Sequence, residues 1–266
     1  MGEMLSLGNL VDFLLLFVLQ TVLTMGNVLG IGIEAGRAPL AQQSAVRFWG
    51  IGSAVILRIV VFLATLGILN GFGGAFLHLG WDGVITGGVG LSTLAFAVGG
   101  AMLILTAIKE IARLLSVEHL DNDLDDRGGR PGLMSLIGIL GLNMVYAFEG
   151  TIAALALTTY QPVIFAAFLL PWIGVLILRD ELTLFLSRRR MVEVGGLFIL
   201  LAVGILALGM AGTASDPVAP ISVLGVAVTP MSQAAFYTTV IVLIAVVYSQ
   251  SSFARKLAAA RKAAQK

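Results

Sequence analysis

Seven stretches of this chain are long and apolar enough to cross a lipid bilayer, and that constrains its fold more than any other feature. A spanning helix needs roughly 20 consecutive apolar residues, and the qualifying segments lie at about 10–33, 46–69, 92–114, 133–157, 162–179, 192–212 and 232–250. The chain of 266 residues is 58% hydrophobic and 12% charged, with a mean hydropathy of +1.01. A soluble domain carries about 25% charged residues. So apolar a chain cannot hide its surface in a water-facing core, and its solvent is lipid. The expected fold is all-α: one polytopic membrane domain over residues 1–266, with seven transmembrane helices in contact with the bilayer. Between the second and third segments, NGFGGAFLHLGWDGVITGG is too rich in glycine to span and reads as an interfacial loop with aromatic anchors.

Lysine and arginine placement sets the orientation. Fifteen of the basic residues fall in the first, third and fifth connections and the C-terminal tail, and none in the N-terminus or the even connections. Cytoplasmic loops carry the excess of Lys and Arg, so the N-terminus is expected outside and the C-terminus in the cytoplasm. The N-terminal MGEMLSLGNLVDF has no basic residue before its apolar run, so it reads as a retained first helix, not a signal peptide. The tail, 251–266, is basic and alanine-rich, and is expected to lie on the cytoplasmic leaflet.

The chain also repeats itself. WGIGSAVILR (49–58) parallels WIGVLILR (172–179), and VGGAMLILTA (98–107) parallels VGGLFILLAV (194–203). Repeat one covers about 10–114 and repeat two about 133–212, with an extra helix at about 232–250. Three spans per copy is an odd number, so the copies have opposite orientations: a 3+3 inverted repeat, with a site expected at the midplane between them.

Polar residues inside the spans are the functional candidates, because a membrane interior tolerates them only where something compensates them. In segment one, Asp12, Gln20, Thr24 and Asn27 are spaced along one helix face. That stripe serves either helix–helix hydrogen bonding or a water-filled cavity. Gly26 and Gly30 form a small-xxx-small pair suited to close helix packing, and Gly150 sits in the corresponding step of segment four. Arg58 lies too deep in segment two for easy snorkelling and needs an acceptor, for which Glu149 is the intramembrane acid available.

Segment four holds Asn143, Tyr146, Glu149, Gly150 and Thr151, and Glu149 is the one carboxylate deep in any span. Such a group is neutral, paired with arginine, or bound to a cation. Carboxylates and amide carbonyls are the hard oxygen ligands of Mg, Ca and Mn. Glu149 is therefore the candidate metal ligand, with Asn143, Asn27 and Gln20 as further oxygens of a cation or proton site. In the third connection Asp121, Asp123 and Asp125 have EF-hand spacing, but Asp126 stands where glycine is required and Gly132 where glutamate is required, so no EF-hand is expected. The chain has no cysteine, two histidines, no Ser/His/Asp arrangement and no phosphate-cradling glycine loop, so it is not expected to be an enzyme.

The stretch LQTVLTMGNVLGIGIEAGRAPLAQQSAVRFWGIGSAVILRIV resembles the first motif region of the TerC family of integral membrane proteins, NMVYAFEGTIAALAL its second motif, and IGVLILR with VGGLFILLAVGILALG its C-terminal part. The resemblance implies a transporter-like fold of bacterial inner (cytoplasmic) membranes, and divalent-cation efflux, notably of manganese. Other relatives imply a part in tellurite resistance or in membrane-protein assembly. The family's motif acids fall here on Gln20, Gly26, Asn143 and Glu149, so one carboxylate remains of four. Two functions follow as expectations: a cation transporter with a reduced site, or a transport-inactive structural or assembly subunit with membrane-protein partners.

Overall fold

A computed structural model describes residues 7–71, 74–81, 83–115, 130–177, 190–216 and 220–264. The acidic stretch around Asp121–Asp126 and the basic residues Arg179, Arg188 and Arg189 lie outside the described residues. Among the described residues there are seven helices: α1 (Leu7–Gly36), α2 (Leu40–Gly71), α3 (Leu91–Leu115), α4 (Gly132–Leu157), α5 (Gln161–Ile177), α6 (Arg190–Ala211) and α7 (Gln233–Ala264). Six are long and apolar enough to cross a membrane. The fifth expected span is, among the described residues, a helix of 17 residues, about 25 Å long at 1.5 Å per residue, against a hydrocarbon core of about 30 Å.

Local chemistry marks the helix ends. Pro39 follows the end of α1, and Gln43 Nε2 donates to the carbonyls of Gly36 (3.1 Å) and Ala38 (2.9 Å), which have no helical donor there. Pro131 caps the start of α4, its carbonyl accepting from the amides of Met134 and Ser135. Pro162 sits in the first turn of α5, where its missing N–H removes nothing. The basic tail is not a separate helix, because α7 runs unbroken to Ala264.

The fold is not all-α. The glycine-rich connection pairs as an antiparallel hairpin, β1 (Ala75–Trp81) with β2 (Ile85–Gly90). β3 (Ser222–Val223) and β4 (Val226–Ala227) complete a sheet of order β1-β2-β3-β4. Glycine takes the positions a side chain cannot: Gly83, Gly87 and Gly225 all have positive φ. A Cβ on Gly87 would lie 2.6 Å from the Ile221 Cα, so β2 passes the residue before β3 at backbone contact. The sheet ties the start of α3 to the chain beyond α6, where Ser215 Oγ meets the hydroxyls of Ser92 (3.0 Å) and Thr93 (2.7 Å).

Helix packing is antiparallel between the two halves. Along α1 and α4, Gly26 faces Tyr146, Gly30 faces Leu142 and Gly138 faces Glu34. Along α2 and α5, Phe62 packs edge-on against Phe165 and Phe168, and Arg58 lies over Phe168 and Trp172. The most extensive contact joins α3 and α6. There Gly100 and Gly204 oppose each other: a Cβ on Gly100 would be 2.9 Å from the Gly204 carbonyl oxygen, and one on Gly204 3.1 Å from that of Gly100. Small residues let membrane helices approach until dispersion forces hold them. Leu16, Leu19 and Leu23 of α1, Leu103 of α3, Ile152 of α4 and Leu200 of α6 fill the centre of the bundle. Ile56, Val60 and Leu63 of α2 face outward, as lipid contact requires.

Gly100→Val drives a branched side chain into the α6 backbone, which cannot yield. It is expected to destabilise the detergent-purified protein by about 1–3 kcal/mol, read as a lower thermal midpoint. Gly52→Ala, where a Cβ meets nothing within 4 Å, is expected to stay within about 0.5 kcal/mol of the parent.

Candidate functional site

The polar residues of α1, α2 and α4 converge on one buried seam. Gln20, Thr24, Asn27, Arg58, Asn143 and Glu149 are each no more than 2% exposed. Their partners come from neighbouring helices. Gln20 Nε2 donates to the Gly150 carbonyl at 2.9 Å. Asn143 Nδ2 donates to the Gly50 carbonyl and to Ser53 Oγ, both at 2.9 Å. Arg58 Nη1 donates to Thr24 Oγ1 at 3.2 Å, and Glu149 Oε1 accepts from Thr106 Oγ1 at 2.7 Å. No ion pair joins Arg58 and Glu149; Arg37 and Arg130 pair with Glu34, and Arg113 with Glu110, away from the seam.

Each of the four candidate ligands keeps one buried oxygen without a hydrogen-bond partner: Gln20 Oε1, Asn27 Oδ1, Asn143 Oδ1 and Glu149 Oε2. Buried polar atoms are normally satisfied, so four such oxygens in one seam call for an explanation. The Gln20 and Asn143 amide orientations follow from these bonds, since a carbonyl acceptor takes the amide's N–H and not its oxygen.

The four do not form one coordination shell. Gln20 and Asn27 are seven residues apart on α1, about 10 Å along the axis, and Asn143 and Glu149 are about 9 Å apart on α4. Gln20, Arg58 and Gly150 share one level, where a Cβ on Gly150 would lie 3.0 Å from Gln20 Oε1 and 3.6 Å from the Arg58 Cζ. Asn143, Gly50 and Ser53 share another, nearer the C-terminal end of α1. The seam is a file of oxygens with a charged level and a neutral level. No cluster of three or more His, Cys, Asp or Glu occurs among the described residues.

Two open clefts lie beside α4, neither of them lined by Gln20, Asn27, Arg58, Asn143 or Glu149. The larger, about 370 Å³, is lined by Lys109, Glu110, Gly138, Leu142, Tyr146 and Thr106, the residue that holds Glu149. The smaller, about 220 Å³, is bounded by Leu157, Met210, Phe236 and Tyr237, whose hydroxyl donates to Asp12 at 2.6 Å. Glu149 falls between them along the helix. Sequence reading missed Thr106, Phe168 and Trp172. Thr106 carried a signal, being the one hydroxyl or amide between Thr93 and Lys109.

Membrane-length helices packed around a buried polar seam define a polytopic integral membrane protein. The chain belongs to the integral membrane protein TerC family, whose profile it matches over residues 5–257. It is 25% identical over 161 residues to a UPF0053 protein of Haemophilus influenzae, an alignment covering 60% of this chain and 65% of that protein. The chain thus spans just under two thirds of that relative's length. No solved structure matches it.

Asn143→Leu removes both α2–α4 hydrogen bonds while keeping the volume. Interhelical bonds in membranes contribute about 0.6–2 kcal/mol, and a loss of stability in that range is expected from thermal unfolding in detergent.

Proposed function

We propose that this protein moves a cation across the membrane through the seam between α1, α2 and α4, with a manganese-like divalent ion as cargo. The observation that carries this reading is the file of four buried oxygens without partners, all of the hard donor type that binds such ions. Glu149 supplies the charge. Gln20, Asn27 and Asn143 supply neutral stations on which an ion exchanges part of its hydration shell. Membership of the TerC family, a class linked to metal-ion transport, points the same way.

We also infer the inverted-repeat plan. α1 with α4, α2 with α5, and α3 with α6 each pack antiparallel, and the contact of α2 with α4 has its counterpart in α1 with α5. α4 also runs antiparallel to α3, through Gly99–Ile152 and Thr106–Glu149, so α4 and α6 share one direction. The chain recrosses between them, and α5 is the segment available to do it. Seven crossings put the N-terminus outside and the basic C-terminal tail in the cytoplasm of a bacterial inner membrane.

Manganese flux into proteoliposomes tests the reading. Wild-type protein is expected to carry flux, and Glu149→Gln, which removes the one charge a cation would hold, to reduce it to the level of protein-free vesicles. Equal flux in both sinks the assigned site. No flux in either, under conditions where a TerC relative with all four motif acids is active, favours the structural or assembly role.

A further inference from the structure

The seam holds donors without partners as well as acceptors. Arg58 is 2% exposed, yet its Nη2 has no hydrogen-bond partner, and neither does Trp172 Nε1 beside it. The guanidinium has one hydroxyl, Thr24 Oγ1, and two ring faces, Phe168 and Trp172, each 5.8 Å from Cζ to centroid. Cation–π contacts and a neutral hydroxyl are weak company for a fully buried charge, whose desolvation is repaid by an anion at bonding distance. Glu149 is buried nearby with Oε2 equally unpartnered, its other oxygen turned away to Thr106 on α3. A buried arginine and a buried glutamate thus share one apolar interior, and each bonds a neutral hydroxyl on a different helix. Gly150 follows Glu149 in the chain, and the guanidinium packs 3.6 Å from the point its Cβ would occupy. A glycine leaves that surface clear, so a long, flexible arginine can cross it.

We propose that Arg58 is a tethered counter-cation for Glu149, pairing with Glu149 Oε2 when the seam holds no cargo and withdrawing onto Thr24, Phe168 and Trp172 when a cation takes its place. The inference rests on the cation reading of the seam and adds its regulation. Arginine pairing and cation binding exclude each other, so the fixed charge weakens cation affinity and favours release by refilling the carboxylate. A site with a single carboxylate then never leaves that carboxylate bare in the membrane interior.

Manganese(II) binding to the full chain in detergent, by titration calorimetry, tests this on Arg58→Gln, Arg58→Lys, Thr24→Val and Glu149→Gln, each checked for cooperative unfolding. Removing the competing charge in Arg58→Gln is expected to tighten binding about tenfold, within the usual span of coupling between sites. Loss of a merely structural arginine would not tighten it. Arg58→Lys keeps the charge and is expected to stay within about threefold of wild type, and Thr24→Val, which removes the withdrawn arm's partner, to weaken binding about threefold or more. A folded Arg58→Gln that binds no tighter overturns the proposal. Should Arg58→Gln not fold, Thr24→Val decides, and unchanged affinity overturns it. If Glu149→Gln binds manganese as wild type does, the cation reading fails and the inference falls with it. If Glu149→Gln weakens binding but Arg58→Gln does not tighten it, only the inference fails.

Discussion

Water is scarce inside this helix bundle, and most of its architecture answers to that. A polar group there finds its partner in another helix or goes without. Gln20 reaches the Gly150 carbonyl, Asn143 reaches Gly50 and Ser53, and Glu149 takes the Thr106 hydroxyl. These bonds link α1, α2, α3 and α4 at the level where apolar packing alone would allow them to slide. The same scarcity makes the unpartnered atoms informative. In a soluble protein a lone amide oxygen is readily reached by water, whereas here an unused oxygen beside an unused guanidinium nitrogen marks chemistry that the apolar surroundings do not complete.

Close backbone approach is the second constraint. Lipid offers no hydrophobic drive for helix association, so contact area and proximity carry it. Gly100 and Gly204 bring α3 and α6 to backbone contact, and Gly26 and Gly30 seat the Tyr146 and Leu142 side chains against α1. The sheet clamps this arrangement at one end, pairing β2 with β3 across a wide gap in the chain. The seam therefore lies between helices that are held both along their length and at their tips.

Charge balance distinguishes the site from a multi-carboxylate metal centre. One glutamate and one arginine share it, so together they bring no net charge to meet a dication. The amide oxygens add dipoles without charge, and their spread of about 10 Å along the axis favours successive contacts over a closed shell. Movement of the arginine is what would let the single carboxylate alternate between an internal and an external partner.

Much of this was legible in the residue order. Apolar runs of spanning length dictate helices in lipid, because a helix satisfies its own backbone, and the spacing of Gln20, Thr24 and Asn27 already placed them on one face. The sheet was not read, although Asp82-Gly83 between FLHLGW and VITGGV is a strong hairpin signal. Glycine is depleted in ordinary strands, which masks the pattern, and the other turn uses Leu224-Gly225, with Leu224 at φ 53 where Asn or Gly is usual. The sequence by itself determined that Arg58 and Glu149 need compensation, since burial of a charge is costly wherever it occurs. Only the tertiary structure decided what each one touches. Partner choice depends on which helix faces which and at what height: α3 brings Thr106 to Glu149, while α1 and α5 bring Thr24, Phe168 and Trp172 to Arg58. No local pattern of residues encodes those heights, because they emerge from glycine contacts and packing between segments far apart in the chain.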